Sequence, residues 1–128
     1  HLSRKLFINI LNILTFKKIN GYSSIKVKTD TIDDFCEKNE IDKIDLLKID
    51  TEGHEEFVLK GAELMIKNKK IDVIYTEILE NKKMFETKKK RLISYLNKFG
   101  FKFIKEFPIK SVSFLSNSKS SDLLFKIS

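Results

Sequence analysis

Two short apolar segments separated by a helical pattern constrain the fold of this chain more than any other feature of its sequence. Ile44–Asp50 (IDLLKID) and Ile71–Ile78 (IDVIYTEI) have the composition of strands, and the second is almost continuously apolar, as in a strand covered on both faces. Between them, His54–Asn68 repeats apolar side chains at the spacing of one helix face. A strand–helix–strand unit of this kind predicts two parallel strands joined by a right-handed crossover.

The segments on either side extend the same alternation. Upstream, Ile25–Thr29 alternates as a strand, and Thr31 or Asp30 is expected to cap a short helix through DDFCEKN. Downstream, the pattern predicts a helix over residues 85–99 with Gly100 as its C-cap, an alternating strand over 101–107 stopped by Pro108, a polar loop (SNSKSSD) and a last strand (LLFKI).

The resulting order, β-α-β-α-β-α-β-β, predicts an α/β fold with a mostly parallel sheet. The closing strand pair is expected to be antiparallel, because its connection is too short to contain another helix. The length of 128 residues suits one domain with a modest core.

The chain is basic, with a net charge of +7, but only two of its 25 basic residues are Arg. Nucleic-acid readers rely on Arg for bidentate contacts, so a solvated basic surface is the favoured interpretation and no nucleic-acid partner is expected. The run Lys82–Arg91 is interpreted in the same way as the wet face of a helix, with a docking patch for an acidic partner as the alternative. The single Cys36 cannot form an internal disulfide, which favours a reducing, cytoplasmic setting.

Residues 1–24 are interpreted as an upstream connecting segment. Within it, residues 2–19 are apolar on most sides and flanked by basic residues. They are expected to form a helix or connection that covers a core, and a basic amphipathic helix on a membrane surface is the alternative. No apolar run reaches the about 18–20 residues that a membrane-spanning helix needs. The first residue is His rather than Met, and the chain is expected to start inside a longer protein.

A charged turn follows the first of the two apolar segments, within the stretch LLKIDTEGHEEFVLKGA (Leu46–Ala62). In open parallel sheets, ligands bind beyond the carboxyl ends of the strands, which is where Asp50 and Glu52 lie, with Glu77 at the end of the next strand. Lys48 and Asp50 share one strand face about 6.5 Å apart, so Asp50 is expected to be an ionised acceptor of hydrogen bonds.

Two interpretations of this turn are open: the rim of an active site, or a capped and solvated strand-to-helix turn. Glu55 and Glu56 fit the second, because a helix dipole favours acids in the first turn whether or not a ligand binds. His54 is the one nearby side chain that exchanges a proton near neutral pH, although an idle surface His is common at such a position. A Mg²⁺ or Ca²⁺ site built from Asp50, Glu52 and His54 matches no ligand spacing, and no metal is assigned.

The stretch Leu46–Ala62 resembles the KIDxEGxE…VLKGA signature of the FkbM-type methyltransferases. Similarly, VKTDTIDDF resembles the strand and T-[LI]-D-D-[FL] motif of that family, VIYTEI its next strand and SSDLLFKI its final strand. The resemblance implies a class I, Rossmann-like methyltransferase fold, of which residues 25–128 are the C-terminal half, and S-adenosylmethionine as the cofactor. The Gly-rich cofactor loop of that family has no counterpart here, since the sequence contains no G-x-G-x-G.

Residue by residue, the family's signature acids fall on Asp50, Glu52 and Glu55, and its T-[LI]-D-D motif on Thr31–Asp34. Together with the proton chemistry of His54, the resemblance gives Asp50, Glu52 and His54 as candidate catalytic residues, and it implies cofactor contacts from Asp33 and Asp50. The activity that it implies is O-methylation of a sugar or another small hydroxylated metabolite. The alternatives are a non-catalytic remnant or interaction module with half of the fold, and a basic binder of nucleic acid or membrane surfaces.

Overall fold

A computed structural model of the protein describes residues 25–109 and 117–128. The expectations for residues 1–24, including the alternative membrane-surface helix, lie outside these ranges. The elements are α1 (Ile32–Lys38), β1 (Ile44–Ile49), α2 (Glu55–Gly61), α3 (Glu63–Lys67), β2 (Ile71–Asn81), α4 (Phe85–Asn97), β3 (Phe101–Ile109) and β4 (Ser118–Ile127). The chain is therefore a mixed α/β protein, as its alternating pattern predicts.

The four strands form one sheet in the order β1-β2-β4-β3. β1 and β2 are parallel, whereas β4 is antiparallel to both β2 and β3. The expected antiparallel closing pair is confirmed, but the prediction of a mostly parallel sheet is wrong for the described strands. β1, β2 and β3 do run in one direction; because the single reversed strand lies between β2 and β3, only one of the three pairings is parallel.

Two strand predictions at the edges of the sheet also differ from the structure. Ile25–Thr29 is not a strand, and Ile25 and Val27 are 81% and 64% exposed. Among the described residues no strand pairs with the outer edge of β1, so this alternating segment has no ladder to join. Pro108 does not stop β3, which runs on to Ile109; among the described strands β3 lies at an edge of the sheet, the place where a strand tolerates Pro.

The helix expected over residues 54–68 is two short helices that meet at Ala62. The break has a tertiary cause that the apolar spacing does not reveal. The carboxylate of Asp33, on α1, accepts hydrogen bonds from the main-chain N–H groups of Leu64 and Met65. These N–H groups at the start of α3 therefore have an acceptor outside the helix, and α3 can begin separately from α2.

The two other predicted helices have the expected cores but different ends. Of the two predicted caps of α1, Thr31 is the one observed: its hydroxyl accepts a hydrogen bond from the N–H of Asp34 at 3.0 Å. α4 ends with Lys98 at its C-cap, so Gly100 is not the cap; it adopts a left-handed φ of +90° two residues later and turns the chain into β3. No helix within the described ranges has the length and apolar character needed to cross a membrane.

The described helices cover one face of the sheet. On β2, Ile74, Thr76 and Ile78 are fully buried beneath them, and the residues paired with these on β4 include the equally buried Leu123 and Phe125. The intervening residues of β2 are half-buried, and Leu46 on β1 is 59% exposed. Apolar side chains of α2, α3 and α4, and of Ala62 between the first two, complete the core: Leu59, Ala62, Ile66, Phe85, Leu92 and Leu96.

Tyr95 of α4 lies at the margin of this core. Its ring meets Phe99 edge-on with centroids 5.2 Å apart, and its hydroxyl is buried without a hydrogen-bond partner among the described residues. Burial, followed by the negative charges of Glu63 and Asp33, raises the pKa of Tyr95 from 10.0 to about 12. The neutral phenol is therefore the form that the folded protein accommodates.

We expect Tyr95→Phe to retain the stability of the protein at pH 7 and to flatten the loss of stability at alkaline pH. The pKa of Tyr95 is higher in the folded state, so its contribution is complete below pH 10 and is lost as the pH rises towards about 12. Thermal unfolding of both proteins between pH 8 and pH 12 measures the difference. Parallel pH curves for the two proteins would contradict this role of Tyr95.

Candidate functional site

The carboxyl end of β1 lies beside the middle of β2, because β2 continues to Asn81. Ile49 is in register with Thr76, so Asp50 follows at the level of Glu77. The prediction that Glu77 lies at the end of its strand is wrong, because β2 continues to Asn81 and Glu77 pairs with Asp122 of β4. Lys48 Nζ lies 3.1 Å from Asp50 Oδ2, as the shared strand face predicts, and both side chains are well exposed. Asp50 therefore keeps a carboxylate oxygen facing solvent at this end of the sheet.

A left-handed turn carries the chain from β1 into α2. Glu52 has a φ of +50° and Gly53 a φ of +107°, so two consecutive residues adopt backbone conformations that L side chains rarely occupy. A Cβ on Gly53 would meet nothing within 4 Å, so the backbone angle, not crowding, is the reason for glycine here. Glu52 is exposed in this turn.

His54 occupies the N-cap position of α2 without capping it through its side chain. Its Nδ1 lies 3.3 Å from the carbonyl oxygen of Thr51, and its ring is 6.0 Å from that of Phe57. Since a carbonyl oxygen can only accept, this contact requires the proton on Nδ1 and leaves Nε2 as the acceptor. The side chain is exposed, so Nε2 is open to a ligand at the rim.

Glu55 has a different place from the other acids of the turn. Its side chain is 1% exposed, and its Oε1 accepts hydrogen bonds from the Gly53 N–H at 2.8 Å and from the Thr51 hydroxyl at 3.4 Å. The helix dipole alone therefore does not explain Glu55, which holds the turn from inside. Its spacing to Leu59 and Ala62, at i+4 and i+7 on the buried face, is the sequence signal that identifies it.

Lys88 is the partner of Glu55 that sequence reasoning missed. Its Nζ lies 2.7 Å from Glu55 Oε2, and its side chain is 6% exposed. The interpretation of Lys82–Arg91 as a wet helix face is therefore wrong at this position. Lys88 falls three residues after buried Phe85 and four before buried Leu92, a helical spacing that places it on the inner face of α4.

Asp33 lies apart from the turn, on the inner side of α1. It is 8% exposed, and its two carboxylate oxygens accept hydrogen bonds from Leu64 N–H at 2.9 Å and Met65 N–H at 3.1 Å. The carboxylate thus faces the start of α3, where main-chain N–H groups favour negative charge. The structure brings Asp50, Glu52 and His54 together on one turn and places Asp33 elsewhere.

A second polar group extends from Glu77 and Tyr75 of β2 to β4, on the sheet face opposite the described helices. Glu77 Oε1 accepts a hydrogen bond from the Ser120 hydroxyl at 2.6 Å, and the Tyr75 hydroxyl donates to Asp122 Oδ2 at 2.6 Å. The hydrogen bond to Asp122 raises the pKa of Tyr75. Ser120 and Asp122 lie in the predicted polar loop but belong to β4, which is why the sequence did not place them beside β2.

The chemistry available at the turn follows from these positions. Exposed carboxylates on Asp50 and Glu52 can accept hydrogen bonds from hydroxyl or ammonium groups, and the open imidazole nitrogen of His54 can accept a proton. Within residues 25–109 and 117–128, no three His, Cys, Asp or Glu side chains are grouped so that they could hold a metal ion.

The model of one protein family, the methyltransferase FkbM domain, matches residues 5–103, more than three quarters of the chain. The matched range includes β1, the turn after it, β2 and the first residues of β3. The match begins at residue 5, within the upstream connecting segment (residues 1–24). A search of the curated proteins found no match.

We expect Asp33→Ala to lower the free energy of unfolding by about 2 kcal/mol, because two main-chain N–H groups of α3 lose their acceptor. Asp33→Asn, which keeps one acceptor oxygen, should lie between the wild type and the Ala variant. Glu37→Ala, at an exposed position of the same helix, is the control and should change stability by less than about 0.5 kcal/mol. Urea denaturation followed by circular dichroism measures all three, and equal midpoints for Asp33→Ala and Glu37→Ala would contradict the capping role.

Proposed function

This chain belongs to the FkbM methyltransferase family, and we propose that it forms part of an S-adenosylmethionine-dependent O-methyltransferase acting on a sugar or another small hydroxylated metabolite. The observation that supports this proposal is the turn after β1, which presents Asp50, Glu52 and His54 together at the carboxyl end of a parallel strand pair. We propose a cytoplasmic setting, because its one cysteine, Cys36, is a buried free thiol.

The residues of the turn fit part of the proposed cofactor. S-adenosylmethionine, when bound, supplies a methyl group on a positively charged sulfur and also carries an ammonium group. The exposed carboxylate of Asp50 suits that ammonium group or a ribose hydroxyl. Asp33, the other proposed cofactor contact, has both oxygens engaged with α3, so we propose that it acts by fixing α1 in place. The G-x-G-x-G loop is absent from this sequence, and the fit is therefore partial.

The same turn offers the groups that an acceptor hydroxyl needs. Methyl transfer to oxygen is an in-line displacement, and its rate depends mainly on how well the two reactants are positioned. We propose that Asp50 accepts a hydrogen bond from the acceptor and orients it, with Glu52 contributing a second acceptor beside it. His54 Nε2 takes up the hydroxyl proton, a step that contributes about 10²–10⁴-fold in enzymes that use it.

We expect Asp50→Ala to lower kcat/KM for methyl transfer by about 10²-fold without unfolding the protein, since Asp50 is exposed and its removal leaves no cavity. Transfer of labelled methyl groups to a panel of sugars and small alcohols, in the full-length protein, measures the effect. Asp45→Ala, which removes an exposed carboxylate from the other end of β1, is the matched control. Wild-type turnover in Asp50→Ala would remove Asp50 from the site.

Glu52→Gly separates the carboxylate from the backbone conformation of the turn. Glycine adopts the left-handed φ of this position without strain, and the extra freedom of the unfolded chain offsets the gain, so we expect stability to stay within about 0.5 kcal/mol of the wild type. We expect kcat/KM to fall by about 10-fold because the second acceptor is lost. Unfolding midpoints and initial rates measured side by side decide this, and unchanged rates would show that Glu52 serves only the turn.

The second candidate function is a non-catalytic interaction module with half of the methyltransferase fold. The absence of a G-x-G-x-G loop in this sequence is the observation that favours it. Calorimetric titration of the full-length protein with S-adenosylmethionine separates the two functions. Binding that Asp50→Ala weakens supports the enzyme, whereas no binding together with no methyl transfer supports the module.

A further inference from the structure

Lys88 connects the turn after β1, which carries the proposed site, to the carboxyl end of β2. Its ammonium lies 2.7 Å from Glu55 Oε2 and donates hydrogen bonds to the carbonyl oxygens of Gly53 and Leu79, each at 3.4 Å. Gly53 belongs to the turn after β1, and Leu79 lies near the carboxyl end of β2. One buried ammonium thus forms an ion pair with the helix that follows the turn, and it donates hydrogen bonds to the turn and to the neighbouring strand.

The position of Lys88 is unfavourable for stability alone. It is the fourth residue of α4, and the dipole of a helix disfavours a cation near its N-terminus. Burial of the ammonium and of its Glu55 partner adds a desolvation cost, and apolar residues of similar size often replace such pairs without loss of stability. Unlike a Met and a Leu at the same positions, the pair binds main-chain atoms of the turn, namely the N–H and the carbonyl oxygen of Gly53.

These contacts act on the conformation of residues 51–54. Glu55 Oε1 holds the N–H of Gly53, while Lys88 holds the carbonyl of the same residue, so the peptide groups on both sides of Gly53 are fixed by one ion pair. Glu52 and His54 flank Gly53 in the chain. Their side chains start from backbone atoms that this ion pair positions.

We propose that Lys88 is a positioning residue of the methyl-transfer site, which acts through Glu55 and the Gly53 carbonyl to hold the turn in its left-handed conformation. The proposal rests on the proposed function for its kinetic consequence, but its structural part concerns the turn alone. A loosened turn displaces the groups that orient the acceptor, and such displacement lowers kcat more than it raises KM.

Three variants of the full-length protein test this role: Lys88→Met, Glu55→Leu and the double variant. We expect each single change to lower the Tm by roughly 10 °C, because one buried charge is left without its partner. The double variant should recover most of this loss, since it buries no charge. Its kcat should nevertheless remain about 10-fold or more below the wild type, and the Gly53 amide should exchange with solvent about 10-fold faster, because neither contact to Gly53 is restored.

Lys90→Met is the matched control, since Lys90 is an exposed lysine two residues further along the same helix. It should retain the wild-type Tm, kcat and Gly53 exchange rate. Recovery of kcat and of slow Gly53 exchange together with the Tm in the double variant would overturn the proposal, because Lys88 would then serve stability only. If the wild type transfers no methyl group, the proposed function fails, and Gly53 exchange alone decides: faster exchange in the double variant supports the positioning role, and unchanged exchange overturns it.

Discussion

The ion pair between Glu55 and Lys88 joins α2, α4 and the turn between β1 and α2, which carries the proposed site. A buried carboxylate and a buried ammonium are each costly alone and become tolerable only together, so α2 and α4 must lie side by side for either to be accommodated. That requirement also fixes the turn between β1 and α2, whose main chain supplies further partners for both groups. The more exposed ion pair between Glu56 and Arg91 joins the same two helices nearer the surface.

The four candidate acids lie in two different environments. Glu55 and Asp33 are buried and bind main-chain N–H groups, so they determine where helices begin and how the turn is shaped. Asp50 and Glu52 are exposed and available to a ligand. All four belong to segments that resemble family motifs, and burial separates the two that bind main-chain N–H groups from the two whose carboxylates face solvent.

Local features of this fold could be predicted from the sequence, because their causes lie within a few residues. The Thr31 cap, the strands β1 and β2 and the charged turn are examples. The features that could not be predicted depend on distant partners. Ile25–Thr29 has the alternation of a strand but no neighbour to pair with among the described residues, the helix break at Ala62 depends on Asp33, and the burial of Lys88 depends on Glu55.

The place of β4 between β2 and β3 has a consequence for the order in which the chain acquires its structure. Tyr75 and Asp122, which bond across this pairing, are 47 residues apart in the sequence. During synthesis, β2 emerges from the ribosome well before the strand that completes it, so its inner edge stays unpaired until β4 follows. Until β4 pairs with it, this edge can pair with another chain, so the β2–β4 ladder protects the protein from aggregation as well as completing the sheet.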